Sequence, residues 1–290
     1  MRTNDGRWLC ALAAALCTAG GARAACLSDA DVAAMFDAYN RAVPAANPQG
    51  LSTSDGECSR TKLNRMLELQ LGQPVGYKAG LTNPAVQKRF NADAPVWGTL
   101  YAPMMLNNGT SLDATFGARP LFEADMLVRI SSDAVNRART PEDVLAAIDQ
   151  VIPAIELPDL VVQAPGQLNG AGITAINVGA RYFVSGQPLP VPVTRGERFA
   201  LLDALRDMTA IVKADGAEID RGKGSDVLGH PLAAVAWLAQ DMARHGMALK
   251  PGDLVSLGSF SRLLPPKAGQ AVEVQYHGLP GAPAVKVSFK

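Results

Sequence analysis

The sequence predicts a mixed α/β (α+β) protein, with a helical N-terminal part to about residue 75 and a β-rich body after it. Three observations predict it. Apolar residues recur at helical spacing between Ser28 and Leu71. Residues 121–130 alternate apolar and acidic side chains with the period of a strand. The C-terminal third is mostly short apolar runs separated by glycine and proline. With 290 residues, the length favours one catalytic domain over residues 25–290.

Residues 1–24 read as a signal peptide. Arg2 and Arg7 precede the apolar run 8–17, which is too short to span a bilayer, and Ala22-Arg23-Ala24 supplies a small-x-small cleavage pattern. A mature chain starting at Ala25, exported to the periplasm and soluble after cleavage, is the expectation. A lipid anchor at Cys26 fits less well, because Arg23 stands where such a signal has an aliphatic residue. Cys10 and Cys17 leave with the leader. Cys26 and Cys58 remain, and in an oxidising compartment the two would pair; two free thiols are the alternative.

Charge narrows the partners. Acidic and basic residues number 27 each, and the leader takes three arginines and one aspartate with it. No basic excess remains for nucleic acid, and the few aromatic residues give no platform for stacked bases. The expected partner is a small molecule.

In order, Ser28-Asp29-Ala30-Asp31 starts a helix with Val32, Met35, Phe36 and Tyr39 on one face. Residues 44–56 read as a loop rich in Pro, Gly, Ser and Asn, and residues 62–71 as the next helix. Val75-Gly76-Tyr77-Lys78-Ala79-Gly80-Leu81-Thr82 is a strand interrupted by a lysine. Asn83-Pro84 opens a short helix, and residues 97–101 form a strand or turn. Thr140-Pro141-Glu142-Asp143 starts a helix, with proline at its first position and acids in its first turn. It leads into the strand Val151-Ile152-Pro153-Ala154-Ile155-Glu156. Residues 168–172 are a glycine-rich connection. Beyond residue 200, a hairpin turns at Asp215-Gly216, one helix covers 233–245, and strands follow at 254–257, 271–276 and 284–289.

The chemistry centres on the acids. In a strand, Glu123 and Asp125 share one face, and two neighbouring anions are costly unless a cation lies between them. A hard divalent ion with oxygen ligands answers that need, with Glu156 as a third donor. A solvent-facing acidic pair on an edge strand is the alternative. Lys78, if desolvated near such a cation, could move protons near neutral pH; a surface lysine or a structural ion pair is the plainer reading. His230, just before Pro231, is expected to pack or cap a helix start, and His245 and His277 are assigned no role.

Several ordered motifs resemble one family. Gly76-Tyr77-Lys78-Ala79-Gly80-Leu81-Thr82, Glu123-Ala124-Asp125, Pro153-Ala154-Ile155-Glu156 and the stretch from Gly222 to Leu232 are similar to segments of the 2-keto-4-pentenoate hydratase branch of the fumarylacetoacetate hydrolase superfamily. Pro251-Gly252-Asp253 and Gly258-Ser259 resemble its segment that closes the active site.

The resemblance implies a mixed β-roll with flanking helices and Mg2+ or Mn2+ held by Glu123, Asp125 and Glu156. It further implies Lys78 as proton shuttle, with Leu81, Thr82, Asn177 and Ser259 binding a short 2-oxo or 2-hydroxydienoic acid. A homo-oligomer is also implied. The 2-oxo group so held is an electron sink for water addition, decarboxylation or C–C cleavage. Two positions depart from the pattern: Asp125 replaces a glutamate, and Ile176 and Gly179 stand where the family has an acid and a serine. Hydratase is the first expectation. A 2-oxo-acid decarboxylase, an acylpyruvate C–C hydrolase, and an exported 2-oxo-acid-binding protein without turnover are the alternatives.

Overall fold

The computed structural model describes residues 26–290. The expected signal peptide lies outside the described residues. The elements in chain order are α1 (Asp29–Arg41), α2 (Thr53–Leu71), β1 (Pro74–Gly80), α3 (Pro84–Arg89), β2 (Val96–Tyr101), β3 (Met105–Asn107), β4 (Ser111–Leu112), β5 (Glu123–Ile130), α4 (Pro141–Leu145) and β6 (Ile148–Leu157). Then follow α5 (Gly170–Ala175), β7 (Tyr182–Ser185), β8 (Leu189–Pro190), α6 (Arg195–Asp207), β9 (Thr209–Ala214), β10 (Ala217–Lys223), α7 (Ala233–Arg244), β11 (Leu254–Ser256), β12 (Ala271–His277) and β13 (Ala284–Phe289).

Two mixed sheets form the body. The larger runs β2-β1-β11-β5-β6-β7-β3, with β8 added to β6, and the smaller runs β10-β9-β12-β13-β4. β1 lies parallel to β11, while β5 is antiparallel to both neighbours, β11 and β6. The main core fills the space between the sheets and against α6 and α7. A second core covers the opposite face of the larger sheet, where α1, α2 and α5 pack. The strands in the middle of the larger sheet are therefore buried on both faces. No helix among the described residues is long and apolar enough to cross a membrane.

Three elements differ from the sequence reading. The loop expected over residues 44–56 ends at Ser52, where a capping box with Asp55 starts α2 about nine residues early. Gly56 lies inside α2, and α5 crossing it there keeps it a glycine: a Cβ would lie 2.5 Å from the Ala171 carbonyl oxygen. The glycine-rich connection is α5 itself, capped by Asn169, which accepts a hydrogen bond from the Gly172 amide. The C-terminal third holds two helices, not one. In α6, Thr194 caps the start and Leu201, Leu202 and Leu205 supply a narrow apolar stripe hidden among charged residues.

Cys26 and Cys58 form a disulfide that ties the start of the described chain to α2. The Leu27 amide donates to Ser59 Oγ at 2.9 Å and Lys62 Nζ donates to the Leu27 carbonyl at 2.9 Å, so the cross-link reinforces an existing seam. Closing a loop with a sequence separation of 32 restricts the unfolded chain by about 3–4 kcal/mol in the chain-entropy picture. Cys26→Ser/Cys58→Ser is therefore expected to lower unfolding stability by about 3 kcal/mol, read as a drop in the denaturant midpoint with a slope equal to or steeper than that of the cross-linked protein; an unchanged midpoint would refute it.

Candidate metal centre

Strand periodicity places the acids. On β5, Ala124, Met126 and Val128 enter the main core, while Leu127 enters the second core on the other face. Glu123 and Asp125 share the face of Leu127. On β6, Ile155 and Leu157 face the main core and Ile152 and Ala154 the second, which sets Glu156 on the same face as the other two acids. The register pairs Glu123 directly with Glu156 and Asp125 with Ala154. Glu123 is 6% exposed, and Asp125 and Glu156 are fully buried. One carboxylate oxygen from each lies within 4.8 Å of the others. The edge-strand alternative fails, because β5 is internal and its acidic face is covered.

Such a cluster cannot be fully ionised without compensation. Burial, first, and then the Glu156 carboxylate push both Glu123 and Asp125 well above the usual carboxylate range; Lys78 opposes this for Glu123 and Ser256 for Asp125. Asp125 is the best satisfied of the three. It accepts from Ser256 Oγ at 2.6 Å, from the Gly258 amide at 3.2 Å and from the Met126 amide at 2.5 Å. Glu123 Oε2 and Glu156 Oε2 are buried with no hydrogen-bond partner among the described residues. Hard oxygen donors, converging and left unpartnered, fit a divalent cation held by Glu123, Asp125 and Glu156.

Lys78 is the counter-charge. On β1 it is 3% exposed, and its Nζ ion-pairs with Glu156 and donates to the Val178 carbonyl at 3.1 Å. A cavity of about 540 Å3 opens over the cluster, and Lys78, Leu81, Thr82, Glu123, Glu156 and Ser259 are among the residues that line it. Leu81 adopts a left-handed backbone (φ 55°) directly after β1, turning the chain along the cavity. Gly258, at φ 96°, lets that loop approach Thr82: a Cβ would lie 2.2 Å from Thr82 Oγ1.

Two expected roles are corrected. Asn177 does not line the cavity. Its Oδ1 accepts from the Thr99 amide at 2.7 Å and its Nδ2 donates to the Thr99 carbonyl at 3.0 Å, so both polar atoms are used against β2. Pro251-Gly252-Asp253 sits at the other end of β11, where Gly252 donates to the Ile130 carbonyl, far along β5 from Glu123; of that motif only Gly258 and Ser259 reach the cavity. Ile176 packs in the second core. His230 packs in the turn before α7, where its Nδ1 accepts from the Leu232 amide at 3.1 Å, and it makes no side-chain cap on the helix itself.

Sequence reasoning missed Ser256 and Tyr276. Ser256 was visible as a lone polar residue in the apolar run Leu254-Val255-Ser256-Leu257. Tyr276, on β12 of the smaller sheet, aims its buried hydroxyl at the Asp125 and Ala154 carbonyls (2.6 and 2.5 Å), and nothing local marks it.

The raised carboxylates give a signed pH effect. A carboxylate whose folded pKa exceeds its unfolded value stabilises the fold below the unfolded value and loses that contribution as pH rises through the folded one. Chelator-treated protein should therefore have a lower Tm at pH 8 than at pH 5, and Mn2+ should remove the difference by neutralising the cluster. Identical pH profiles with and without Mn2+ would count against a cation at these acids.

The fumarylacetoacetate hydrolase C-terminal family model matches residues 82–284. A 2-keto-4-pentenoate hydratase of Burkholderia vietnamiensis is 32% identical over 208 residues, covering 71% of this chain and 75% of the relative. Among solved structures, 4-oxalocrotonate decarboxylase from Pseudomonas putida G7, complexed with magnesium and adipate, superposes with a TM-score of 0.77 at 23% identity, covering 92% of this chain and all of that one. Fumarylpyruvate hydrolase from Pseudomonas aeruginosa, in complex with Mn2+ and pyruvate, gives 0.53 at 14% identity, over 74% and 89% of the two chains. The buried acid triplet on a mixed β-roll and the matched span together place this chain in the fumarylacetoacetate hydrolase family.

Proposed function

We propose that the protein is a divalent-metal-dependent lyase acting on short 2-oxo or 2-hydroxydienoic acids, most like 2-oxopent-4-enoate hydratases, which add water to the diene. One observation carries this reading: three buried carboxylates converge, two of their oxygens lack partners among the described residues, and the cavity above also holds the Lys78 ammonium. Three carboxylates against one lysine leave two negative charges, the charge a dication balances. A cation bound there would supply Lewis-acid polarisation of the adjacent oxygens of a 2-oxo acid.

The chain's own residues do the rest. Lys78 Nζ, held by Glu156 and the Val178 carbonyl, stands in the cavity wall where it can pass a proton to or from a carbon conjugated with the 2-oxo group. Val86, Phe90, Leu160, Ile173 and Val178 give the cavity apolar walls that limit water near that carbon. We propose that the protein is exported, which the Cys26–Cys58 disulfide suits because such bonds persist in an oxidising compartment.

A second reading, 2-oxo-acid decarboxylation, has its own support. Ile176 lies in the second core and Ile173 and Val178 are among the residues that line the cavity, so this segment brings no acid to the wall beside Lys78. Decarboxylation asks for one proton at one carbon. Hydration needs a carbon protonated and a water activated.

With Mg2+ or Mn2+, the protein is expected to bleach the ultraviolet absorbance of 2-hydroxypenta-2,4-dienoate. No bleaching, together with CO2 release from a 2-oxohexenedioate, would select decarboxylation; the absence of both activities would overturn the lyase assignment. Lys78→Ala should cut kcat by roughly 10²–10⁴-fold while Mn2+ affinity is kept or improved, since Glu156 loses its internal counter-ion. Glu123→Gln should weaken Mn2+ by at least about tenfold, measured by calorimetry. A Lys78→Ala enzyme with the wild-type rate would remove Lys78 from the chemistry.

A further inference from the structure

We infer that Asn177 is a positioning residue for Lys78, acting through the carbonyl of Val178; the inference rests on the lyase reading for its catalytic meaning. Asn177, Val178 and Gly179 are three successive residues in the left-handed region, at φ 53°, 55° and 64°. Gly179 tolerates this freely. Val178 does not, because a β-branched side chain crowds the backbone there. Something must hold the turn in that form, and the Asn177 amide is placed to do so. It meets both backbone polar groups of Thr99 on β2 and is itself buried.

Thr99 is register partner to Tyr77, and Gly98 to Lys78, so the amide fastens the turn to the strand pair that carries Lys78. The two strands are cut away to receive it. A Cβ on Gly98 would lie 2.5 Å from the Asn177 carbonyl oxygen, and one on Gly80 2.5 Å from Val178 Cγ1. The result is the Val178 carbonyl 3.1 Å from Lys78 Nζ. With one N–H held by that carbonyl and another by Glu156, the tetrahedral ammonium has a single N–H left, and Lys78 lines the cavity. The left-handed turn therefore sets the torsion of Nζ and fixes which direction a proton leaves it. Without the amide, Val178 would relax toward negative φ and its carbonyl would swing away, leaving Nζ tethered to Glu156 alone.

The test joins a structure to a kinetic cycle. In a crystal structure of Asn177→Ala, Val178 should have left the left-handed region and the Nζ–carbonyl contact should be lost; Asn177→Asp, which keeps the acceptor for the Thr99 amide, is the variant to solve if Asn177→Ala does not fold. With 2-hydroxypenta-2,4-dienoate and Mg2+, Asn177→Ala should lower kcat by about tenfold or more with KM and Mn2+ affinity changed by less than about threefold. Added to Lys78→Ala, it should change kcat by no more than roughly twofold, since both act on one nitrogen. Retained left-handed geometry with the contact intact, or an equal kcat loss in the Lys78→Ala background, overturns the inference. Should the wild type turn over no 2-oxo acid, the lyase reading fails, and the variant structure alone still decides whether Asn177 holds Lys78.

Discussion

The rest of the molecule is arranged around one electrostatic debt: three carboxylates out of water at the end of a sheet face that is otherwise apolar. Glu123 and Glu156 face each other across adjacent strands, the pairing that strands ordinarily avoid, and Asp125 lies one repeat further along. Desolvating a single carboxylate already costs several kcal/mol, about what a domain has to spare. The fold supplies one ammonium, from Lys78, and three donors to Asp125, and it leaves one oxygen of each glutamate unpartnered. Polar groups abandoned in this way are rare in protein interiors, and two of them at one cavity floor mark a ligand's place.

Everything near the cluster keeps those groups from relaxing. β5 cannot drift to an edge, because β11 and β6 flank it. Tyr276 fastens the smaller sheet to the Asp125 and Ala154 carbonyls from behind. Ser256 and the Gly258 amide hold Asp125, which lines up one methylene shorter than a glutamate would and stays outside the cavity lining. Gly98, Gly80 and Gly258 are places where backbone or side chain comes too near for a Cβ. These glycines are clearances that let neighbouring segments meet at the site.

The legible part of the chain was the part governed by short-range rules. Ser28 and Thr140 cap the helices they were expected to cap, the Asp215-Gly216 turn joins β9 to β10, and the alternation in residues 121–130 places both acids on one face. The misses share a cause. Gly56 and Gly170 look like loop residues because what keeps each a glycine is a segment distant in sequence: α5 at Ala171 crosses Gly56, and Ala92, between α3 and β2, lies where a Cβ of Gly170 would go. The stripe of α6 is too narrow to stand out from its charges. Asn177 was expected at the substrate because the family resemblance implies it there, whereas both its amide atoms face a strand some eighty positions earlier.

From the sequence alone came the donors: three acids in two strand-like segments, a lysine in an apolar run, and two cysteines with no other partner. Their residue types and period fix which side of a strand each occupies, since that depends only on neighbours along the chain. The meeting point was decided by tertiary structure. Lys78 lies on β1 and Glu156 on β6, three strand spacings apart in the sheet order. A flat sheet would separate those strands by roughly 14 Å, a span that side chains standing off the sheet face do not bridge. Sheet curl, driven by packing the second core under one face and the smaller sheet over the other, brings them into contact. No local pattern encodes that curvature, because it is the sum of long-range packing on both faces.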